Sequence, residues 1–125
     1  MKKVTRNIDL ESALDLLQKG ARACLSFAQD GEPLAQPVAL IWQDQRYLVG
    51  FSESAIRRPG PGQEVVLLVD EGVHFYDLRA IYIRGHIQPV ETPVGGPAGQ
   101  AWFEVLPAKT VAWDYGKLRE EPDER

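Results

Sequence analysis

The stretch "RAIYIRGHIQPVE", residues 79–91, puts Ile81, Ile83 and Ile87 on one face of an extended strand and Tyr82, Arg84 and His86 on the other. A period of two excludes a helix, and the strand then needs neighbours to take up its backbone hydrogen bonds. The chain supplies them in series. "ACLSFAQ" aligns Leu25 and Phe27 on one face, and Asp30-Gly31 behind it is a hairpin turn signal. "PLAQPVALIW" and "RYLVGF" read as strands joined by polar "QDQ", with Pro37 marking an edge or a bulge. "EVVLLVD" is apolar without alternation, the pattern of a strand covered on both faces, as at a barrel wall that is also a subunit interface. Gly85 falls where a bulge or a close approach belongs. "TPVGGPAGQA" is a loop, and "WFEVLPAKTVAW" is the last strand, bent or broken at Pro107.

Before the first strand the period is helical. Leu10, Ala13, Leu14, Leu16 and Leu17 predict one amphipathic helix from Asn7 to Gly20, capped by Asn7 or Asp9 and ended by a left-handed Gly20. Six short antiparallel strands behind one helix imply a mainly β fold that closes on itself, because closure removes open edges. At 125 residues this is one domain, residues 1–116, followed by a charged, flexible tail over 117–125.

Composition then removes several classes of function. The chain has 14 Lys plus Arg against 18 Asp plus Glu, a net charge of −4, so it has no basic footprint for nucleic acid. No stretch is long and apolar enough for a membrane span, and no apolar run follows the two N-terminal lysines, which predicts a protein that stays in the cytoplasm. The lone Cys24 cannot form an internal disulfide. His74 and His86 stand apart on different elements, so no metal site is expected. Hydrolase, P-loop and dinucleotide-fold motifs are all missing. A chain this poor in catalytic side chains leaves difficult chemistry to a cofactor.

One segment has the chemistry to hold such a cofactor's phosphate. "SESAIRRPGPGQ" brings Ser52, Ser54, Arg57 and Arg58 together before a Pro-Gly turn, and hydroxyls with forked guanidiniums suit a phosphate monoester. A polar loop with two surface arginines has the same composition.

The ordered set "GARACLSFAQDGEPLAQPVALIW", "RYLVGFSESAIRR", "EVVLLVD", "RAIYIRGHIQPVE" and "PAKTVAWDYGKL" resembles the flavin-binding split-barrel family of pyridoxamine 5′-phosphate oxidase. The resemblance implies a six-stranded antiparallel split β-barrel, a homodimer, and FMN in clefts at the subunit interface, with F420 or haem as the ligands of some relatives. It places Pro37, Val38 and Ala39 along the flavin ring. Phe51, Ser52 and Ser54 fall toward the ribityl and phosphate end, and Arg57 and Arg58 at the phosphate itself. Arg79 opens a strand similar to the family's "R-x-V-x-I-x-G", and Trp113 is set beside the interface cleft. The implied activity is flavin-dependent oxidoreduction of a small molecule, the other option being a non-catalytic module that stores or senses flavin. The oxidase's own features are absent: Ala80 stands where it often has glutamine, "RRPGPGQEV" replaces a short helix, and its C-terminal substrate motif is missing.

Overall fold

In the computed structural model, which describes residues 3–55 and 57–120, alternating apolar residues fold into strands that wrap one core. Strands β1 (Val4–Thr5) and β2 (Asn7–Ile8) lead into a 3-10 turn, Leu10–Ala13, and a helix α1 (Leu14–Gln18). Then come β3 (Arg22–Gln29), β4 (Glu32–Pro37), β5 (Ala39–Gln43), β6 (Arg46–Ser52), β7 (Glu64–Glu71), β8 (Arg79–Pro89), β9 (Gln100–Asp114) and β10 (Arg119–Glu120). The main sheet runs β4-β3-β7-β8-β9-β6-β5, all antiparallel, with β2 also paired to β9.

The edge strands β4 and β5 come from the single stretch "PLAQPVALIW", divided at Val38. The Val38 N–H donates to the Ala23 carbonyl at 3.0 Å, which pins the corner to β3. The chain therefore steps there from one edge of the sheet to the other, and the sheet curls into a half-barrel. Counted through that corner the strands number six, and the fold is the split barrel that the sequence predicts. Leu25, Val49, Leu67, Ile81, Ile83 and Val105 fill its interior with no exposed surface. At about 25 cal/mol per Å² of apolar area, such burial is the main stabilising term.

Three expectations change. The helix is shorter than Asn7–Gly20, because Asn7 and Ile8 are extended and pair with Trp113 and Ala112 of β9. Asp9 stands at the N-cap of the 3-10 turn but its side chain makes no capping bond, while Gly20 does end the segment at φ +73°. Ala13, Leu16 and Leu17 still bury their side chains in the core.

The second change concerns β9, which runs unbroken through Pro107 instead of breaking there. The register passes from Arg84↔Lys109 to Gly85↔Pro107, so Ala108 is an extra residue in β9, a bulge. Gly85 makes the close approach possible, since a Cβ there would overlap the Leu106 carbonyl oxygen. An extra residue reverses which positions face inward. Phe103 and Val105 point into the core before the bulge and Ala112 does so after it, which leaves Val111 half-buried on the outer face beside Trp113.

In β7, Val65, Leu67 and Val69 are buried within the chain, while Val66 and Leu68 on the outer face are half-buried. One chain by itself covers a single face of this strand. At the C-terminus, Arg119–Glu120 pair with Val4–Thr5, so the segment expected to be a flexible tail begins with a strand; its last residues, 121–125, lie outside the described ones. No helix among the described residues is long and apolar enough to cross a membrane.

Candidate functional site

The corner at Pro37–Val38 meets the end of β6, because Ala39 pairs with Gly50 across β5 and β6. Where β6 ends at Ser52 the chain turns sharply. The Ala55 N–H donates to the Ser52 carbonyl at 2.9 Å, and the Glu53 N–H donates to the Gly99 carbonyl at 3.0 Å. The turn brings the hydroxyls of Ser52 and Ser54 within 2.8 Å of each other, both exposed. Gln36 of β4 holds the next segment, its amide Nε2 donating to the Arg57 carbonyl at 2.6 Å. Leu34, Ala35 and Gln36 then form one wall of a groove of about 600 Å³, with Ser54 and Arg57 on the other. The Arg57 guanidinium lies 3.7 Å from Glu32, and both side chains are mostly in solvent. It is thus a weakly engaged cation beside two hydroxyl donors and an edge strand with one side unpaired.

Pro37, Val38, Ala39, Ser52, Ser54 and Arg57 are thereby drawn to one corner. Phe51 reaches it with its backbone alone. Its ring lies in the core, edge-on to Phe27 at 6.4 Å and to Phe103 at 5.6 Å between centroids. Arg58 diverges from Arg57 and lines a separate groove of about 750 Å³, between the 58–61 turn, the end of β8 and the start of β9.

Arg79 and Trp113 lie elsewhere. Ser52 pairs with Gln100 at the start of β9, whereas Trp113 lies 13 residues further along the same strand and Arg79 pairs there with Asp114, so both sit at its far end. Arg79 is saturated: its Nε donates to Glu71 at 3.0 Å, and its Nη1 and Nη2 donate to the two carboxylate oxygens of Asp15 at 3.1 and 2.5 Å. Lys19 joins the cluster at 2.5 Å from Glu71 and 3.5 Å from Asp15. The hydrogen bond from Arg79 holds the Asp15 carboxyl at a pKa of about 2. Lys19 first and Arg79 second hold Glu71 below its usual range. Trp113 stacks under Arg6, whose guanidinium carbon is 4.7 Å from the ring centroid, and tilts against Tyr82 at 5.9 Å.

Three contributors escaped the sequence reading: Gln36, which fixes the Arg57 backbone, and the pair Gln100 and Trp102. Trp102 is 3% exposed and packs over Gly50, so it is not surface available to a partner. A glycine inside the apolar strand "RYLVGF" was the available signal. A Cβ on Gly50 would come within 2.7 Å of the Gln100 Oε1 and 3.0 Å of the Trp102 ring.

No group of His, Cys, Asp and Glu among the described residues can hold a metal ion. No known family's sequence profile matches the chain, and no curated protein matches it. Solved structures do. An FAD-binding protein from Mycobacterium smegmatis superposes with a TM-score of 0.66 at 16% identity, over 91% of this chain and 96% of that one. An FAD- and haem-binding protein from the same organism gives 0.66 at 13%, over 89% of this chain and 72% of that one. A protein from Corynebacterium glutamicum, named as a candidate pyridoxamine 5′-phosphate oxidase, gives 0.62 at 14%, over 87% and 90%. The chain shares the split-barrel fold of these proteins. At such identities the likeness is one of fold.

Proposed function

We propose that this protein binds a flavin at the Pro37–Ser54 corner and serves as a flavin-dependent oxidoreductase for a small molecule. The observation that carries this reading is the meeting of Ser54 and Arg57 at a groove walled by the edge strand β4, with the Ser52 hydroxyl bonded to that of Ser54. The donor set fits the group. Two hydroxyls and an under-used guanidinium match a phosphate monoester, and the unpaired side of β4 offers backbone donors and acceptors to a polar ring edge. FMN is the form this donor set suits, although the two Mycobacterium smegmatis neighbours are described as binding FAD. A bound flavin would supply the hydride and electron transfer that no side chain of the groove can perform. The chain's own part is positional: Gln36 holds the Arg57 backbone, Ser52 and Ser54 orient each other's hydroxyls, and the turn keeps Arg57 at the groove.

The reading also calls for a second copy of the chain. Cys24, Leu68, Tyr82 and Val111 stand in one register row across β3, β7, β8 and β9 on the outer face, all half-buried, with Val66 and Trp113 adjoining. A stable interface buries about 1,600 Å² in total, and this half-buried row supplies apolar surface from which to build one. A homodimer on this face would cover the second side of β7. It would also allow the Arg79–Trp113 region of one copy to adjoin the groove of the other.

The absorption spectrum of the purified protein, with FMN and riboflavin titrations, is the first test. Flavin bands, and FMN bound more tightly than riboflavin, support the reading; a colourless protein that ignores both overturns it, and a Soret band reassigns the groove to haem. Reduction of the bound flavin by NAD(P)H distinguishes an enzyme from a storage or sensing module. Sedimentation at micromolar concentration tests the dimer, and a monomer there removes the shared site.

A further inference from the structure

We infer that a second copy of the chain docks on the outer face with its strands reversed, so that the apolar loop between β7 and β8 of one copy seats on Leu106 of the other. The inference rests on the homodimer proposed above and gives it a direction. On that face the apolar row through Leu68 and Tyr82 is flanked on one side by Asp70 and Trp113 and on the other by Arg84 and Lys109. The two flanks differ in charge. Arg84 and Lys109 stand opposite each other on adjacent strands, both exposed, and neither belongs to an ion pair among the described residues. Like charges so placed repel. In the other flank Asp70 engages Arg22 through Oδ1 alone, and Trp113 stands half-buried in the same row.

A two-fold axis between facing sheets can run along the strands or across them. Along the strands it sets each row against itself, and Arg84, Lys109 and their copies become four neighbouring cations. Across the strands, through the apolar row, it sets the Arg84–Lys109 flank of one copy against the Asp70–Trp113 flank of the other, a carboxylate and an aromatic ring that both attract cations. Charge selects the second arrangement.

The loop between β7 and β8 fits the same register. Val73, Phe75 and Tyr76 are 88, 74 and 57% exposed, yet the loop is held in shape, because the Val73 and His74 N–H groups donate to the Asp77 Oδ1 at 3.1 and 2.9 Å. The His74 ring also stacks on Tyr76 at 5.1 Å between centroids. An apolar tip already ordered loses little freedom on docking. Arg22 ties its base to the outer face, Nη2 donating to the Gly72 carbonyl at 2.8 Å. Gly72 comes four residues after Leu68, and His86, paired with Leu106, comes four after Tyr82 in the opposite direction. At about 3.3 Å per residue both lie about 13 Å from the row, on opposite sides. The axis that pairs the charges therefore also lays the tip on Leu106, which is itself exposed.

The test is disulfide trapping of the full-length protein in a Cys24→Ser background, with the linked peptides identified by mass spectrometry. Val73→Cys and Leu106→Cys in one chain should give a covalent dimer joined 73 to 106, which neither change gives alone. Within one chain the two positions are roughly 26 Å apart, too far to bridge. Absence of that link, or His86→Cys linking to itself in a dimer, overturns the inference and leaves the homodimer standing. Lys109→Glu gives a second reading, free of any disulfide. It should raise the dissociation constant of the dimer about tenfold or more in sedimentation, whereas packing of like rows would make it tighten the dimer. All four of these positions are exposed, so folding is not at stake. A parent protein that is monomeric overturns the homodimer and this inference together; a dimer that tightens with Lys109→Glu overturns this inference alone.

Discussion

Two arginines on opposite sides of the sheet show how the same side chain serves different ends. Arg79 is held by Asp15 and Glu71 with Lys19 behind them, and its side chain is 20% exposed. Arg57 has only a distant contact with Glu32 and is 52% exposed. The first cation is neutralised within the chain, so its field is spent locally and it can tie the helix to the barrel. The second is left with its charge and its fork unused. Sequence resemblance treats both as cofactor residues; their surroundings give Arg79 a structural place and leave Arg57 free for a ligand.

The largest effect expected from this contrast is on Arg57→Ala. FMN should bind more weakly by about 1.5–3 kcal/mol, roughly ten- to hundredfold, the worth of a charge-assisted hydrogen bond, with thermal stability unchanged. Riboflavin, without a phosphate, should lose little, and equal losses for the two would remove Arg57 from the phosphate. Arg79→Ala should do the reverse. It should lower unfolding stability by about 1–2 kcal/mol once solvent screening of the partly exposed carboxylates is allowed for, with flavin affinity kept. If flavin affinity fell and stability did not, the two roles would have to be exchanged.

The same cluster gives a pH signature. The folded Asp15 carboxyl titrates near 2 against a reference value of 3.8, so its contribution is complete above about pH 4 and is lost as pH falls toward 2. Glu71 shifts in the same direction and adds to the loss. Urea unfolding of the parent and Asp15→Asn should therefore differ at neutral pH and converge in acid. Parallel curves across that range would show that the pair carries no native-state stabilisation.

Arg6 is a third case, neither paired nor free, with its guanidinium over the rings of Trp113 and Tyr115. Arg6→Ala should cost only about 0.5–1 kcal/mol, a cation–π contribution near the surface. The more informative measurement is fluorescence. If flavin quenches Trp113, the quenching lost in Trp113→Phe should appear in the dimeric protein alone, because in one chain Trp113 lies at the end of β9 away from Gln100 and Ser52. Quenching that persists in a monomer would break the division of the site between copies.

Most of the barrel was legible because alternation is a local property. Ile81, Ile83 and Ile87 announce one buried face whatever lies across from them, and all three are fully buried. The helix was misjudged in length because the pairing of Asn7 and Ile8 with β9 is set by residues a hundred positions away. At the site, "SESAIRR" indicated the hydroxyls and guanidiniums, but nothing in adjacent letters shows that Arg57 and Arg58 turn to different grooves. Nor could the order of residues reveal the carboxylates waiting for Arg79, one of them on the helix at Asp15. Gly50 was readable as a close approach, yet its partners Gln100 and Trp102 come from a strand fifty residues on.

The extra residue at Ala108 works like a reading-frame shift in the geometry of β9. Up to Leu106 the odd-numbered positions belong to the interior, and from Lys109 the even-numbered ones do. Deleting Ala108 would straighten the strand and leave Ala112 inward and Val111 and Trp113 outward, whereas keeping the residue without the bulge would turn Val111 and Trp113 inward. In that second case an indole and a valine would press on the space that now holds Ala112. A related chain one residue shorter here can thus lose the bulge and still present Val111 and Trp113 outward, so in this strand the face on which a residue stands is a better guide to kinship than the spacing between Gly85 and Trp113.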